Sequence, residues 1–389
     1  MSSPRLSSVL ILLTLGACGP AADTDGDTDA VDTGDTGDSG SACRTEPGPW
    51  SSAGWSTSTV EALALRAQLD TLVGADTMRG AEQGAVTVDE LADLTGPFEA
   101  GSPSLLLVTT PAYRAVVEDA FEDFVALVTS GNTDLFDDGG AWAPGTSGGI
   151  TPEGSRGMNT GGLEVRQFVE KGLYAGGAFY PWAQRLTADD ITPDTVDAIA
   201  ALWGASETLD PEERTDAASY SHAMGYFAPI AEALTQAQAY AGDPACGAER
   251  DAALVEVFRL WEEAMAGRAV YYAGFASEKF TSAGSEADLV DALHEFAEGV
   301  ALVLSFRELS APSSGPLAGA ARVITDAQID AILSAFGVDR TDLGASTTGS
   351  FVTDAAGFAA AVATAEGVLK EAYGLSDAEL ADWRSPTGG

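Results

Sequence analysis

The chain has 389 residues, of which 45% are hydrophobic, and this is enough to build one large domain or two ordinary ones. Its 59 acidic and 19 basic residues give a formal net charge of -40, so the surface repels nucleic acids and anionic lipid headgroups. We therefore expect no nucleic-acid partner and a preference for cations or basic partners.

The N-terminus has the pattern of a lipoprotein signal peptide. Arg5 precedes an apolar run over residues 9–15 that is too short to span a bilayer. The run leads into the sequence LGAC, which ends at Cys18 and resembles the bacterial lipobox, where the cysteine thiol accepts the lipid. We predict that residues 1–17 are a signal peptide and that Cys18 anchors the protein in the cell envelope, most simply at the outer membrane.

An acidic segment follows, and it ends at the second cysteine. Residues 18–46 are rich in Asp, Thr, Gly and Ser and cannot bury enough apolar surface to fold, so we predict a disordered tether before a body at 47–389. An exported location permits a disulfide between Cys43, at the end of the tether, and Cys246, in a Pro/Gly turn. The sequence leaves open whether these residues are bridged or are two free thiols.

The body has helical periodicity almost throughout. Two stretches resemble helix capping boxes, Ser58 to Glu61 and Thr87 to Glu90, and Pro111 begins a long amphipathic helix. A glycine-rich stretch at 131–160 lacks periodicity and is predicted to be a loop, and the only strand-like run is LLLVT at 105–109. Further helices are predicted over 161–186, 192–203, 213–241, 248–276, 284–310, 325–336, 354–373 and 376–384.

Long amphipathic helices with short connections are typical of up-and-down bundles. We therefore predict an all-α fold. This number of helices would form either two bundles side by side or one bundle with additional helices around it.

The segment GLEVRQFVEKGLYAGGAFY, residues 162–180, has a charged first half and a second half of glycine, alanine and aromatic residues. Gly172 and Gly176 are four residues apart on one predicted face and would let another helix approach closely. A polar stripe lies beside that face at i, i+3 and i+7: Glu164, Gln167 and Lys171. The stripe is either a solvated, salt-bridged edge of a packing seam or a set of ligand-binding groups in a cleft between helices.

The chain has only two histidines, which limits metal chemistry. His294 and Glu298 share a helix face at i, i+4, and Glu295 stands where H-E-x-x-H has its general base. A zinc hydrolase needs about three protein ligands, and the third would have to be His222 or a distant carboxylate. A metal-dependent hydrolase and an ordinary helical polar contact both stay open, and no cofactor is assigned. The candidate ligand-binding residues are Glu164, Gln167, Lys171, His222, His294 and Glu298.

Four segments carry a resemblance to a known family, and their order and spacing agree over about residues 57–380: 162–180, SYSHAMGYF at 219–227, the aromatic segment 267–274 that ends in YYAG, and DALHEFAEGVALVLSFRELS at 291–310. The chain resembles uncharacterised bacterial surface lipoproteins, best known from Bacteroidetes, which look distantly like the imelysin-like iron-regulated proteins. This chain departs from the imelysin-like G-x-H-x-x-E motif, because Ala292 replaces the glycine and Glu298 comes one residue late.

The resemblance implies an imelysin-like body of two helical bundles on a lipid anchor. It favours a non-enzymatic protein that binds a small ligand, a metal or a protein partner in iron or other nutrient acquisition. A structural or adhesive surface protein is a third possibility, and a deep polar cleft between helices would argue against it.

Overall fold

The computed structural model describes residues 43, 45–87, 89–91, 94–152, 156–188 and 190–386. The predicted signal peptide, the lipidation of Cys18 and nearly all of the tether lie outside the described residues. The compact unit of the chain is Ala42–Gly389.

Helices dominate this unit, with 64% helix against 3% strand, so the predicted all-α class is confirmed. In chain order the described helices are α1 Trp55–Ser58, α2 Val60–Val73, α3 Met78–Glu82, α4 Thr95–Glu99, α5 Leu105–Val108, α6 Pro111–Ser130, α7 Val165–Gly172, α8 Phe179–Leu186, α9 Pro193–Trp203, α10 Asp216–Ala223, α11 Phe227–Ala241, α12 Gly247–Ser282, α13 Glu286–Leu304, α14 Asp326–Ala335, α15 Ala355–Tyr373 and α16 Asp377–Arg384. A π-turn at Leu173–Gly177 joins α7 to α8, and strands β1 Gly149–Ile150 and β2 Gly157–Met158 form an antiparallel pair within the glycine-rich loop.

Helix α12 is the axis of the fold. Its 36 residues would span about 54 Å at the ordinary helical rise. It packs against α10, α11, α13, α15 and α16, and α13 in turn packs against α7. The apolar residues of these helices form one core, and α7 packs against both α6 and α13.

Several predicted helices are present with their ends nearly where the sequence places them. The Thr110 hydroxyl accepts a hydrogen bond from the Tyr113 backbone N–H at the start of α6, and Pro111 occupies the first turn. Helices α14 and α16 each begin with a complete capping box. Helices α9 and α15 also agree with their predicted ranges to within a residue.

The structure corrects three local predictions near the start of the body. The LLLVT run is helix α5 and not a strand, and the Ser104 side chain caps it by accepting from the Leu107 N–H. Ser58 to Glu61 is not a capping box, because Ser58 is the last residue of α1 and α2 begins at Val60 without a side-chain cap. The Thr59 hydroxyl instead donates to the Trp55 carbonyl. At Thr87 one half of the predicted box is present, because the Glu90 side chain accepts the Thr87 backbone N–H at 2.8 Å. The described residues that follow form turns, and the next helix is α4.

Two of the long predicted helices are interrupted. The range 213–241 divides into α10 and α11 at Gly225, whose φ of +79° is left-handed and incompatible with a continuous helix. The range 161–186 divides into α7 and α8 at the π-turn. The range 248–276, in contrast, is part of the longer α12, and 284–310 ends early, at Leu304.

Cys43 and Cys246 form a disulfide in the structure, with their Cα atoms 4.6 Å apart. The Thr45 hydroxyl donates a hydrogen bond of 2.6 Å to Asp243 beside the bridge. The beginning of the compact unit is therefore fixed to the N-terminal end of α12. Within the described residues, we find no helix that is both long and apolar enough to cross a membrane.

Candidate functional site

The π-turn brings the glycines of the 162–180 segment against two different neighbours. A Cβ on Gly172 would lie 1.5 Å from the Tyr113 Oη, and one on Gly177 would lie 2.3 Å from Tyr113 Cδ1. A Cβ on Gly176 would instead lie 2.7 Å from the backbone of Ser305, just after α13. The predicted close approach is present, but Gly172 shares its neighbour with Gly177 and not with Gly176. The wider π-turn causes this, because it aligns residues five apart.

Groups from other elements hold the π-turn in place. The Gly176 N–H donates to the Ser305 Oγ at 2.9 Å, and the Thr110 N–H donates to the Gly177 carbonyl at 2.9 Å. The Tyr113 hydroxyl donates to the Phe168 carbonyl at 2.7 Å. Backbone groups at this irregular turn therefore have partners, and the direction of the polar stripe on α7 is fixed from both sides.

The polar stripe is buried rather than solvated, and Glu164 lies at its centre. The Glu164 side chain is 0% exposed, and its two oxygens contact four other side chains. One oxygen accepts from Arg166 at 2.6 Å and from Gln167 at 2.7 Å. The other lies 2.5 Å from His294 Nδ1 and 3.6 Å from Arg156. The polar stripe of α7 is therefore joined directly to the histidine of α13.

Arg166 joins Glu164 to two further carboxylates. Its guanidinium donates to Glu82 at 2.8 Å and to Glu170 at 2.6 Å. Glu82 is itself 2% exposed and also accepts the Gly157 N–H at 3.1 Å. One buried cation thus holds three acidic side chains, from α3, from the start of α7 and from within α7.

Lys171 and His294 converge on a third buried carboxylate, Glu298. The Lys171 ammonium lies 2.8 Å from Glu170 and 3.4 Å from Glu298. His294 Nε2 lies 3.8 Å from the same Glu298 oxygen, which is too long for a hydrogen bond. The candidate residues of α7 and α13 therefore form one network, which we call the buried ion network: Glu82, Glu164, Arg166, Gln167, Glu170, Lys171, His294 and Glu298.

The electrostatics of the network fix the charge of Glu164. Burial opposes its ionisation, but the hydrogen bond with His294 and the positive charge of Arg166 outweigh burial and lower the pKa of Glu164 to about 2. Burial and then the charge of Glu164 raise the pKa of Glu82 to about 8, against the effect of Arg166. An ionised Glu164 accepts from His294 Nδ1–H, and the other ring nitrogen, Nε2, is directed toward Glu298.

Tyrosine side chains lie next to the buried ion network, on the side of α10 and α12. The Lys171 ammonium lies 5.5 Å from the centre of the Tyr220 ring and 6.0 Å from that of Tyr174. The Tyr272 hydroxyl donates to the Tyr220 hydroxyl at 3.1 Å. The buried ion network is therefore in contact with a group of tyrosine rings.

Neither His222 nor a metal-binding set joins this site. The His222 ring contacts Phe227 at 5.9 Å between ring centres, and among the described residues no hydrogen bond or ion pair connects it to His294. In the part of the chain that the structure describes, no group of three or more His, Cys, Asp or Glu side chains is arranged to hold a metal ion. The third ligand that a zinc hydrolase would need is therefore not supplied by His222.

No family model, curated protein or solved structure matches this chain. Its function must therefore be argued from the site itself.

Gln167 is the unusual member of the network. Its side chain is 1% exposed, and its amide nitrogen donates to Glu164, but its carbonyl oxygen Oε1 has no hydrogen-bond partner in the described part of the chain. A buried acceptor without a partner costs about 1–3 kcal/mol. The network is thus paired at its charges and retains one acceptor that an incoming donor would satisfy.

Sequence patterns did not reveal several of the partners. Glu82 and Arg156 lie outside the α7 segment, so no helical periodicity relates them to the polar stripe. Tyr272 lies on α12 in a sequence whose apolar periodicity predicts only ordinary core packing. Glu170 belongs to the same segment as the stripe, but it lies off the i, i+3, i+7 positions. An excess of buried acids around Arg166 becomes visible only once the fold brings them together.

Proposed function

We propose that this chain is a lipid-anchored lipoprotein of the bacterial cell envelope. Its helical body would bind a small polar ligand and would serve the acquisition of iron or another nutrient. The body would consist of two imelysin-like bundles side by side. The buried ion network would be the binding site.

The location is supported by two independent features. The LGAC sequence ending at Cys18 has the lipobox pattern. The disulfide between Cys43 and Cys246 is of a kind that persists in oxidising compartments and is rare in the cytosol.

The unpartnered carbonyl of Gln167 carries the ligand-binding proposal. It lies in the same network as two carboxylates, Glu164 and Glu298. Glu164 has several close partners, whereas Glu298 lies 3.4 Å from Lys171 and 3.8 Å from His294, with the Tyr272 phenol as a further partner. A ligand with an N–H or O–H group would donate to Gln167 Oε1 and would close the wide contacts around Glu298. A site of this kind selects by hydrogen bonding, because a ligand without the donor would leave the acceptor unpaired.

A thermal-shift screen of the mature chain tests this proposal. The screen would contain amino acids, monosaccharides, ferric citrate and Zn²⁺, and would be run on the wild type, Gln167→Met and Gln184→Met. Gln184 is the matched control, because it is also buried with an unpartnered Oε1 but bonds to Ala321, outside the network. We expect one compound class to raise the Tm of the wild type and of Gln184→Met but not of Gln167→Met.

Two other outcomes would overturn the proposal. If no compound raises the Tm, the structural or adhesive alternative gains support. If Zn²⁺ alone does so, and the effect is lost in both His294→Gln and Glu298→Gln, the metal-dependent hydrolase gains support instead.

A further inference from the structure

Arg268 of α12 lies within a group of tyrosine rings. Its guanidinium carbon is 4.3 Å from the centre of the Tyr271 ring, 4.4 Å from that of Tyr272 and 5.3 Å from that of Tyr220. Arginine stacks on aromatic faces in this way while its hydrogen-bonding edge stays free. The rings therefore hold the guanidinium in a defined position without neutralising it.

Arg268 has no acidic partner among the described residues. Its Nη2 donates a hydrogen bond to the Tyr272 hydroxyl at 3.3 Å, and its Nε is buried with no partner among the residues that the structure describes. Arg166 shows the contrast, since it contacts three carboxylates. In a chain with a net charge of -40, a partly buried guanidinium without a carboxylate is conspicuous, because desolvating a cation costs free energy unless it is paired.

A groove large enough for an organic molecule lies beside one ring of this group, that of Tyr271. Tyr271, which covers Arg268, also lines a groove of about 990 Å³ together with Gly274 and Phe275. The rings of Tyr271 and Phe275 are nearly parallel, with their centres 6.1 Å apart. Glu278, Glu366 and Arg384 also line this groove, whereas Arg268 lies next to it, against the Tyr271 ring. A ligand in the groove would therefore lie against Tyr271 and Phe275, close to the guanidinium.

We propose that Arg268 and its tyrosines form a subsite for the carboxylate group of a small aromatic or apolar acid. The planar guanidinium fork matches the geometry of a carboxylate. A singly charged carboxylate is favoured over a phosphate because Glu298 lies near Tyr272. Burial, the neighbouring Tyr220 and the nearby carboxylate of Glu298 raise the pKa of the Tyr272 phenol. Glu298 would repel a second negative charge on the ligand.

This subsite deepens the proposed function and rests on it in one respect. Tyr220 contacts both Arg268 and the Lys171 ammonium of the buried ion network. A ligand whose carboxylate occupies Arg268 would therefore lie beside that network. The two parts remain separable, because Arg268 makes no hydrogen bond to any member of the network in the described chain.

Titration calorimetry with sodium benzoate, sodium acetate and inorganic phosphate tests the proposal on the mature chain. We expect saturable one-to-one binding of benzoate, weaker binding of acetate and none of phosphate. Arg268→Gln should weaken benzoate binding about tenfold or more, which corresponds to the loss of one charge-assisted bond. Arg268→Lys keeps the charge but loses the fork, and should fall between the wild type and Arg268→Gln.

Arg185→Gln is the control. Arg185 also lies over an aromatic ring, that of Trp182 at 6.0 Å, but it is exposed on α8, so benzoate binding should not change. The proposal is wrong if the wild type does not bind benzoate, if phosphate binds more tightly, or if Arg268→Gln binds as well as the wild type. The two proposals can fail separately. If benzoate binding depends on Arg268 but the thermal-shift screen finds no ligand that depends on Gln167, the Arg268 subsite is supported and the buried ion network is rejected as the ligand site.

Discussion

Gly176 offers the sharpest test of how the π-turn is packed. A Cβ at this position would lie 2.7 Å from the carbonyl carbon and oxygen of Ser305 and 2.8 Å from the Phe306 nitrogen. All three are backbone atoms, so no side-chain rotation can relieve the contact. The Gly176 N–H also donates to the Ser305 Oγ, and a shift of this backbone would weaken that bond.

We therefore expect Gly176→Ala to lower the free energy of unfolding by about 1–3 kcal/mol, the usual cost of overpacking. The opposing effect is the better helix propensity of alanine, worth about 1 kcal/mol. The steric term should win, because the obstructing atoms belong to the end of a packed helix.

Urea denaturation followed by circular dichroism would measure the change, with Gly274→Ala and Gly367→Ala as controls. Both control glycines lie in helices, and nothing lies within 4 Å of an added Cβ. Each control should raise the free energy of unfolding by up to about 1 kcal/mol. A Gly176→Ala protein as stable as the wild type, or more stable, would refute the argument that Gly176 is required for close approach.

Three further predictions concern the anchor, the disulfide and a buried acid. Cys18→Ser should leave an unlipidated protein, and the account of the anchor fails if the variant still partitions into detergent with the mass of the mature wild type. The Cys43–Cys246 bridge closes a loop with a sequence separation of 203, so its removal should cost about 5 kcal/mol in the chain-entropy model; two labelled thiols in the denatured, unreduced mature chain would contradict the bridge. Glu262 accepts the backbone N–H groups of Val323 and Ile324, and burial raises its pKa from 4.5 to about 7. Between those pH values the folded chain retains a proton that the unfolded chain has lost, so this group lowers the free energy of unfolding by at most about 1.4 kcal/mol per pH unit as pH rises. Glu262→Gln should remove that slope, and an unchanged slope would assign the pH dependence to other groups.

Much of the helical framework could be predicted because local signals fix helix ends. The Thr110–Pro111 start of α6 and the capping box of α14 are short-range patterns that work within one turn. The strand prediction at 105–109 was wrong because a short apolar stretch does not distinguish a strand from a buried helix. The π-turn could not be predicted, because Ser305 and Tyr113, which stabilise it, are far away in sequence.

The candidate site shows the same division. Periodicity predicted that Glu164, Gln167 and Lys171 share a face, and it placed His294 and Glu298 together on another. It could not predict how these faces pair. Glu164 is held by Arg166 and His294, whereas Lys171 contacts Glu170 and Glu298. That pairing depends on the crossing of α7 and α13, which no local pattern encodes.

Native mass spectrometry of the mature protein from its own cells would test the central claim most directly, which is that the buried ion network binds a small ligand. The wild type and Gln184→Met should carry a bound small molecule, and Gln167→Met should have lost it. A wild type with no bound molecule, or a Gln167→Met protein that retains it, would contradict the account.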